Sequence, residues 1–372
     1  MKETPESPLP TKEQELLLKA ALLSNDEALN AWEEWKKLVD FEGYFDQGSF
    51  RLLPLLYKNL LHHGITDQYL TRLKAIYLQS WYKNHKLFYE SAKIVRFLND
   101  AGIRSIALKG TALSILAYKD CGTRPMADFD LLVPVSQASI AIDLLKGSGW
   151  QPENNDYIDF NLQYGRSMTF TNEVGFELDL HWHPFFESLE NNNDMDFWDR
   201  SVPLKLSDAQ MLSLCPTDML LHVIVHGMRW NAEPPIRWIP DSIVLLNTYN
   251  SEIDWPRFID QVKKYKVVLQ VREALNYLII KLYAAIPEFV MPELNKIRVS
   301  TAERLVYHNA KKNEEKSPDG FFGKLYLLFL VYLRQSNKVG ILRQMTGFIK
   351  FMRFRTAGKN YLAIIWHYIS KK

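Results

Sequence analysis

Two short stretches hold residue types whose spacing could do chemistry. Leu108-Lys109-Gly110-Thr111 closes an apolar run with a small-residue turn, and Arg124-Pro-Met-Ala-Asp128-Phe-Asp130 sets two aspartates one residue apart at the head of another apolar run. Lacking a Cβ, Gly110 lets backbone N–H groups approach an anion. Thr111 can add a hydroxyl donor, Lys109 a positive charge, and a following helix its N-terminal dipole. Together these suit a phosphate-cradling loop; a turn that needs glycine for conformation alone is the other reading. The Gly-Lys-Ser/Thr order of a Walker A loop is absent.

Along a strand side chains alternate, so Asp128 and Asp130 would share one face while Phe129 enters the core. Two adjacent carboxylates repel, and one tends to stay protonated unless a divalent cation neutralises them. Magnesium, with manganese as its substitute, suits oxygen ligands and keeps waters that substrate phosphates can replace. In Phe176-Glu177-Leu-Asp179-Leu-His181-Trp182 the polar residues alternate in the same way, so a neighbouring strand can offer a third carboxylate. Taken alone, an Asp-x-Asp is more often a solvated strand end. The Lys-Gly-Thr turn before it and the acidic strand after it favour the metal reading.

These residues need elements to position them. From Thr11 to about Asp100 apolar residues recur at three and four spacing, as in Leu70, Leu73, Ile76 and Tyr77, which predicts helices with breaks near Phe41–Ser49 and Gly64–Asp67. Ile103–Leu108 reads as a buried strand, Thr111–Tyr118 as a short helix, and Phe129–Val133 as a strand ended by Pro134. Ser136 then caps a helix through Lys146. Ser167–Thr171 and Phe176–Trp182 supply two more strands, and Thr217 is placed as the cap of the first helix of an all-α remainder. The fold class is therefore α+β. A helical region over 1–100 precedes a small mixed-sheet α/β core over 101–206, and a helical region over 207–372 follows, with a basic tail from about 321.

Composition is that of a globular protein: 372 residues, 47% hydrophobic and 24% charged, with a net charge of +2 that gives no global argument for nucleic acid. Cys121 and Cys215 are the only cysteines, so no disulfide framework is expected and a reducing cytoplasm is the simplest location. The first residues carry no apolar core of a signal peptide, and the longest apolar run, Leu325–Leu333, is about half of the roughly 20 residues a membrane span needs. Charge is nonetheless uneven. Phe321–Lys372 holds ten Lys or Arg and no acid, leaving the preceding residues mildly acidic. A helical face packed on the acidic body is the plainer reading. Peripheral contact with an anionic membrane, or with nucleic acid, is the alternative, and the aromatic stretches Phe348–Arg355 and Tyr361–Tyr368 suit a membrane surface or a core better than a base-stacking platform.

His222 and His226 sit at i and i+4, one face of a helix, but without the Glu of His-Glu-x-x-His or a third ligand, so zinc is disfavoured. His226, Arg237 and Asp241 read as a polar network, either structural or facing substrate. Arg124 either meets substrate phosphate or balances Asp128. Trp182, Trp230 and Trp238 are core aromatics by default and a base or acceptor pocket otherwise.

Leu108-Lys-Gly-Thr111, Arg124-Pro-Met-Ala-Asp-Phe-Asp-Leu-Leu-Val133, Glu177-Leu-Asp-Leu-His-Trp182 and His226 with Ile236-Arg-Trp-Ile-Pro-Asp241 together resemble the uncharacterised nucleotidyltransferase family of the DNA polymerase β-like superfamily, over about residues 90–285. The resemblance implies Gly110 and Thr111 at the triphosphate of an NTP, with Lys109 and Arg124 nearby. It also implies Asp128 and Asp130 as magnesium ligands, Asp179 as the third acid, and Glu177, His181, His226, Arg237 and Asp241 as candidates to face substrate. This chain departs from the superfamily in carrying Lys-Gly-Thr where Gly-Ser is usual and in a longer gap to Asp128. The implied reaction moves NMP from an NTP to a hydroxyl on a small molecule, a sugar or lipid intermediate, a peptide or an RNA end. A nucleotide-binding scaffold without turnover, and a membrane-surface partner acting through the basic tail, are the competing readings.

Overall fold

The computed structural model describes residues 8–153, 158–187, 189, 194–229, 236–312, 321–335 and 341–355. The N-terminal region is helical: α1 (Lys12–Leu22), α2 (Asp26–Leu38), α3 (Gln47–Phe50), α4 (Leu53–His62) and the long α5 (Leu70–Asp100). Thr11 starts α1 through a reciprocal pair with Gln14, the backbone N–H of each donating to the other's side chain at 3.2 and 3.0 Å. Helix α5 buries Leu73, Leu87, Phe88, Ala92, Val95 and Leu98 along one face. Its one fully buried amide, Asn84, does something other than packing. Its Nδ2 donates to the carbonyls of Cys121 and Arg124 at 2.6 and 2.8 Å, and its Oδ1 accepts from Met126 N–H at 3.2 Å, so α5 fixes the loop that leads to Asp128.

The middle of the chain runs β1 (Ile106–Ala107), α6 (Lys109–Leu113), a π-helical turn Ser114–Tyr118, β2 (Asp128–Leu132), α7 (Ala138–Gly147), β3 (Gln151–Pro152), α8 (Ile158–Tyr164), β4 (Ser167–Thr171), β5 (Glu177–His181), α9 (Met195–Asp199), β6 (Val202–Leu206) and β7 (Ala209–Ser213). The seven strands form one mixed sheet in the order β3-β4-β5-β2-β1-β7-β6. The pairs β2–β5 and β1–β7 are parallel, and the other neighbours are antiparallel. Phe129, Leu131, Leu178, Leu180, Met168 and Phe170 are buried on one side of the central strands. Helices α10 (Pro216–Gly227), α11 (Trp238–Tyr249), α12 (Trp255–Lys264), α13 (Val268–Leu282), α14 (Val290–Lys296), α15 (Thr301–Lys312), α16 (Phe321–Gln335) and α17 (Ile341–Arg355) follow. This is the mixed sheet with helical flanks that the sequence predicts.

Several local expectations need correction. Strands β6 and β7 were not foreseen. They form a hairpin whose turn uses Ser207 in the left-handed region (φ 54°), and the alternation of buried Leu204, Leu206, Ala209 and Met211 is the signal that marks them. This hairpin crosses residue 206, so the sheet continues to Ser213. Ser136 does not cap α7, because a 3-10 turn over Val135–Gln137 follows Pro134 and delays the helix to Ala138. Thr217 does not cap α10: the helix begins at Pro216, whose fixed φ suits a first turn, and the Thr217 hydroxyl accepts from Asp254 N–H at 2.9 Å. The strand expected over Ile103–Leu108 is regular only at Ile106–Ala107, and the helix expected over Thr111–Tyr118 begins at Lys109 and turns π-helical at Ser114.

One cluster of buried apolar side chains runs from Leu17 to Val299 through the sheet and both helical regions. In the basic tail, Tyr332 of α16 and Phe351 of α17 pack with Tyr164 of α8 as a separate small cluster. Tyr361–Tyr368 lies outside the described residues. No described helix is long and apolar enough to cross a membrane.

The packing of α10 on α11 is tight at Gly227, where an added Cβ would lie 2.1 Å from Trp238 Cβ. Gly227→Ala should therefore cost about 1–3 kcal/mol of stability through overpacking. Urea denaturation of the two proteins measures it, and equal midpoints would contradict the packing described.

Candidate functional site

The parallel register of β2 and β5 sets Asp128 opposite Glu177, Asp130 opposite Asp179 and Leu132 opposite His181. Strand β4 brings Ser167 opposite His181 and Thr169 opposite Asp179. Three strands thus supply one polar patch on the sheet. One ligand atom each from Asp130, Asp179 and His181 lies within 4.8 Å of the others, and no other such group of three occurs among the described residues. Asp128, half-buried at the strand end, falls outside that group, and Glu177 is exposed. The structure therefore gathers two of the three expected carboxylates and adds His181.

Asp130 is the most enclosed of these acids, only 5% exposed. Its Oδ1 accepts from Lys109 Nζ at 2.5 Å and lies 3.0 Å from His181 Nε2. Burial alone would raise its pKa, but the Lys109 charge and the His181 hydrogen bond outweigh burial and hold the carboxyl well below the usual carboxylate range. Asp179 goes the other way. Burial and the neighbouring Asp130 charge raise it, against a hydrogen bond from Thr169 Oγ1 at 2.7 Å. Burial pulls His181 down to about 4 despite its bond to Asp130, so the ring is neutral at pH 7. With Asp130 as acceptor, the ring proton sits on Nε2, and Nδ1 is buried without a protein partner.

A second layer lies beside this acid patch. Arg124, 7% exposed, donates from Nε and Nη2 to the two oxygens of Asp241, both at 2.8 Å, and Tyr118 OH donates to the same carboxylate at 2.9 Å. Burial would lower Arg124, but the paired Asp241 raises it above its ordinary value. Arg237 Nη1 donates to the Pro125 carbonyl at 3.1 Å, and burial together with Arg124 draws Arg237 down to about 10. Lys109, Arg124, His226, Arg237 and Asp241 line a cleft of about 60 Å³ floored by Val223, Gly227 and Trp238. That is room for about two water molecules, which suits a phosphate oxygen and excludes a base. Of the two sequence readings of Arg124, balance by an acid holds, but the acid is Asp241 and not Asp128. Of the polar network expected from His226, Arg237 and Asp241, the ion pair belongs to Arg124 and Asp241, and His226 only borders the cleft.

Gly110 has a steric reason to be glycine. An added Cβ would lie 2.5 Å from Arg124 Nη1 and 2.7 Å from Met126 Sδ, so the turn is pressed against the loop that carries Arg124. Lys109 before it adopts φ 47°, a left-handed conformation uncommon for a side-chain-bearing residue. Thr111 is buried and its hydroxyl has no protein partner. Trp182 and Trp238 are buried and donate from Nε1 to the carbonyls of Gly165 and Pro8, which makes them core residues; Trp230 lies outside the described residues.

Sequence reasoning missed Asn84, Thr169 and Arg166. Thr169 was readable, since Ser167-Met-Thr-Phe-Thr171 alternates polar and apolar like β5. Arg166 sits one residue before β4, its Nη1 buried without a partner and its pKa drawn down to about 10 by burial and by Arg229. No sequence pattern marks it, because its place depends on the approach of β4 to β5.

The donor set fits a hard divalent cation. The carboxylates of Asp130 and Asp179 would suit magnesium or manganese, while the neutral His181 ring, bonded to Asp130, orients that carboxylate. His222, on α10, is fully buried with neither ring nitrogen bonded, and burial and the Lys109 charge push it well below the usual histidine range. His181 and His222 are thus neutral when folded, whereas the unfolded chain protonates them below about pH 6.5. Stability should then rise as pH increases from about 4.5 to 6.5. His222→Phe should flatten that slope by about one proton, about 1.4 kcal/mol per pH unit. Urea denaturation across this range measures it; an unchanged slope would refute the neutral, buried ring.

No curated protein matches the chain. An antigenic nucleotidyltransferase-like protein from Paracoccidioides brasiliensis, of known crystal structure, aligns over 58% of this chain and 95% of its own at 15% identity, with a TM-score of 0.34, too low to carry an argument. The profile described as uncharacterised nucleotidyltransferase matches residues 49–279, a span that holds Lys109, Asp128, Asp130, Asp179 and Asp241 together. The chain belongs to this family of uncharacterised nucleotidyltransferases.

Proposed function

We propose that this protein is a magnesium- or manganese-dependent nucleotidyltransferase that moves NMP from an NTP to a hydroxyl acceptor. Family membership supports the transfer of nucleotidyl groups. The observation that carries the finer reading is the pairing of Asp130 with Asp179 across β2 and β5, beside a cleft lined by Lys109, Arg124 and Arg237. Acid patch and basic cleft adjoin, as a substrate with a cation on one side and phosphate oxygens on the other requires.

When bound, the cation would be held by Asp130 and Asp179, with Asp128 at the strand end and His181 at the back, and it would neutralise charge on the reacting phosphate and its leaving group. The protein's own groups do the rest. Lys109 and Arg237 meet phosphate oxygens in the cleft, and Gly110 keeps the turn close; the unmatched Thr111 hydroxyl, buried behind that turn, is a donor in reserve. Arg124 is oriented by Asp241 and turns Nη1 toward the Gly110 turn. Asp179, raised by burial and by Asp130, is a stronger base than an ordinary carboxylate and takes the proton of the acceptor hydroxyl. That oxygen attacks the α-phosphorus, the bond to the β-phosphate oxygen breaks, and pyrophosphate leaves. Glu177, exposed opposite Asp128 at the strand end, is assigned to the acceptor, and His226, which lines the cleft, to the NTP.

The acceptor is a small molecule, a sugar or lipid intermediate, a peptide or an RNA end. A cytoplasmic location, with the basic tail available to an anionic membrane surface, belongs to the same proposal and rests on sequence alone. Incubation with each α-labelled NTP, magnesium and cell extract should label one acceptor class. The double substitution Asp128→Asn with Asp130→Asn should reduce labelling by about a hundredfold or more with folding intact. Equal labelling by the double variant would refute the enzymatic reading and leave a nucleotide-binding scaffold.

A further inference from the structure

We infer that Lys109 is a resident cation of the acid patch, which yields its place on Asp130 to a divalent ion only as a phosphate group of the nucleotide sets an oxygen into the cleft, so that the protein binds the two ligands as a unit. The inference rests on the reading of the site given above and concerns how that site fills.

Lys109 is the one residue shared by both halves of the site. Its ammonium lies 2.5 Å from Asp130 Oδ1, the oxygen that also faces His181 Nε2, and its side chain lines the cleft with Arg124, His226 and Arg237. A divalent ion on Asp130 Oδ1 would take the oxygen that this ammonium now occupies, and one on Oδ2 would stand beside its positive charge. The stem of a lysine is unbranched and flexible, so rotation about its side-chain bonds can carry the ammonium from Asp130 to the cleft without moving the strand. What holds it back is charge. Besides Asp241, which is already taken up by Arg124 and Tyr118, the cleft presents two guanidinium groups. With no anion there, Lys109 is repelled toward Asp130; with a phosphate oxygen there, the balance reverses. The left-handed backbone of Lys109 is an independent sign that its position is imposed by its surroundings. Each ligand therefore removes the obstacle to the other, and linkage makes that effect reciprocal.

Calorimetric titration of the full-length protein with Mn2+, alone and with a saturating non-hydrolysable ATP analogue, tests this. In the wild-type protein the analogue should tighten Mn2+ binding by about tenfold or more, within the usual range of coupling between two sites. In Lys109→Met, Mn2+ alone should bind about tenfold tighter than to wild type, since a competing charge at contact distance is gone. The analogue should bind the variant more weakly, and the coupling should shrink to what direct attraction between ion and phosphate supplies. Lys109→Arg, which keeps the charge, should keep weak Mn2+ binding. Mn2+ affinity equal or lower in Lys109→Met overturns the inference. So does Mn2+ affinity in wild type that ignores the analogue, a result that needs no variant to fold. A protein that transfers label yet shows either result retains the proposed function and loses only this device. A protein that binds no Mn2+ under any condition loses both.

Discussion

Two carboxylates placed side by side on parallel strands are the constraint around which this molecule is arranged. The register of β2 and β5 fixes Asp130 against Asp179, the first enclosed and the second half-buried, where burial restricts how far their charge is screened by water. The surroundings answer in three ways. Lys109 sits on Asp130, His181 gives Asp130 a hydrogen bond while staying neutral, and Thr169 donates to Asp179. The two acids are thereby driven apart in strength, one held strongly acidic and the other raised. A pair split in this way can face one cation with both members while leaving Asp179 the one suited to accepting a proton.

The second buried ion pair, Arg124 with Asp241, does for the cleft what the strands do for the acids. It ties the loop before β2 to α11, and Asn84 of α5 holds the same loop from the other side. Breaking one partner of such a pair leaves a charge without compensation, a heavy cost in a buried setting. The N-terminal helices, the sheet and the C-terminal helices therefore meet at one loop. Gly110 is the point of closest approach, with no room for a side chain between its turn and Arg124.

Much of this was legible in the sequence because it follows period and chemistry. Alternation placed Asp128 and Asp130 on a common face and Asp179 with His181 on another strand, and the mixed sheet with helical flanks follows from the change of period after Gly102. What escaped depends on three-dimensional approach. Asp130 opposes Asp179 because β2 and β5 are parallel neighbours, a fact of topology that separates Asp128 from the tightest group. Asp241 as the partner of Arg124 is a contact across 117 positions, and nothing near Arg124 announces it. The hairpin over Val202–Ser213 was readable by its alternation, whereas the displaced helix starts at Ala138 and Pro216 reflect proline geometry overriding a nearby Ser or Thr. Lys109 carried a positive charge toward phosphate in the sequence reading, and its bond to Asp130 is what the structure adds.

The central claim is that Asp130 and Asp179 jointly hold a divalent cation with a nucleotide beside it. Electron paramagnetic resonance of Mn2+ with the wild-type protein and a non-hydrolysable ATP analogue reads this directly. One protein-bound ion, lost in Asp179→Asn with the fold intact, is the expected result. A spectrum of free Mn2+ in the wild-type mixture, or bound Mn2+ unchanged by Asp179→Asn, would contradict it.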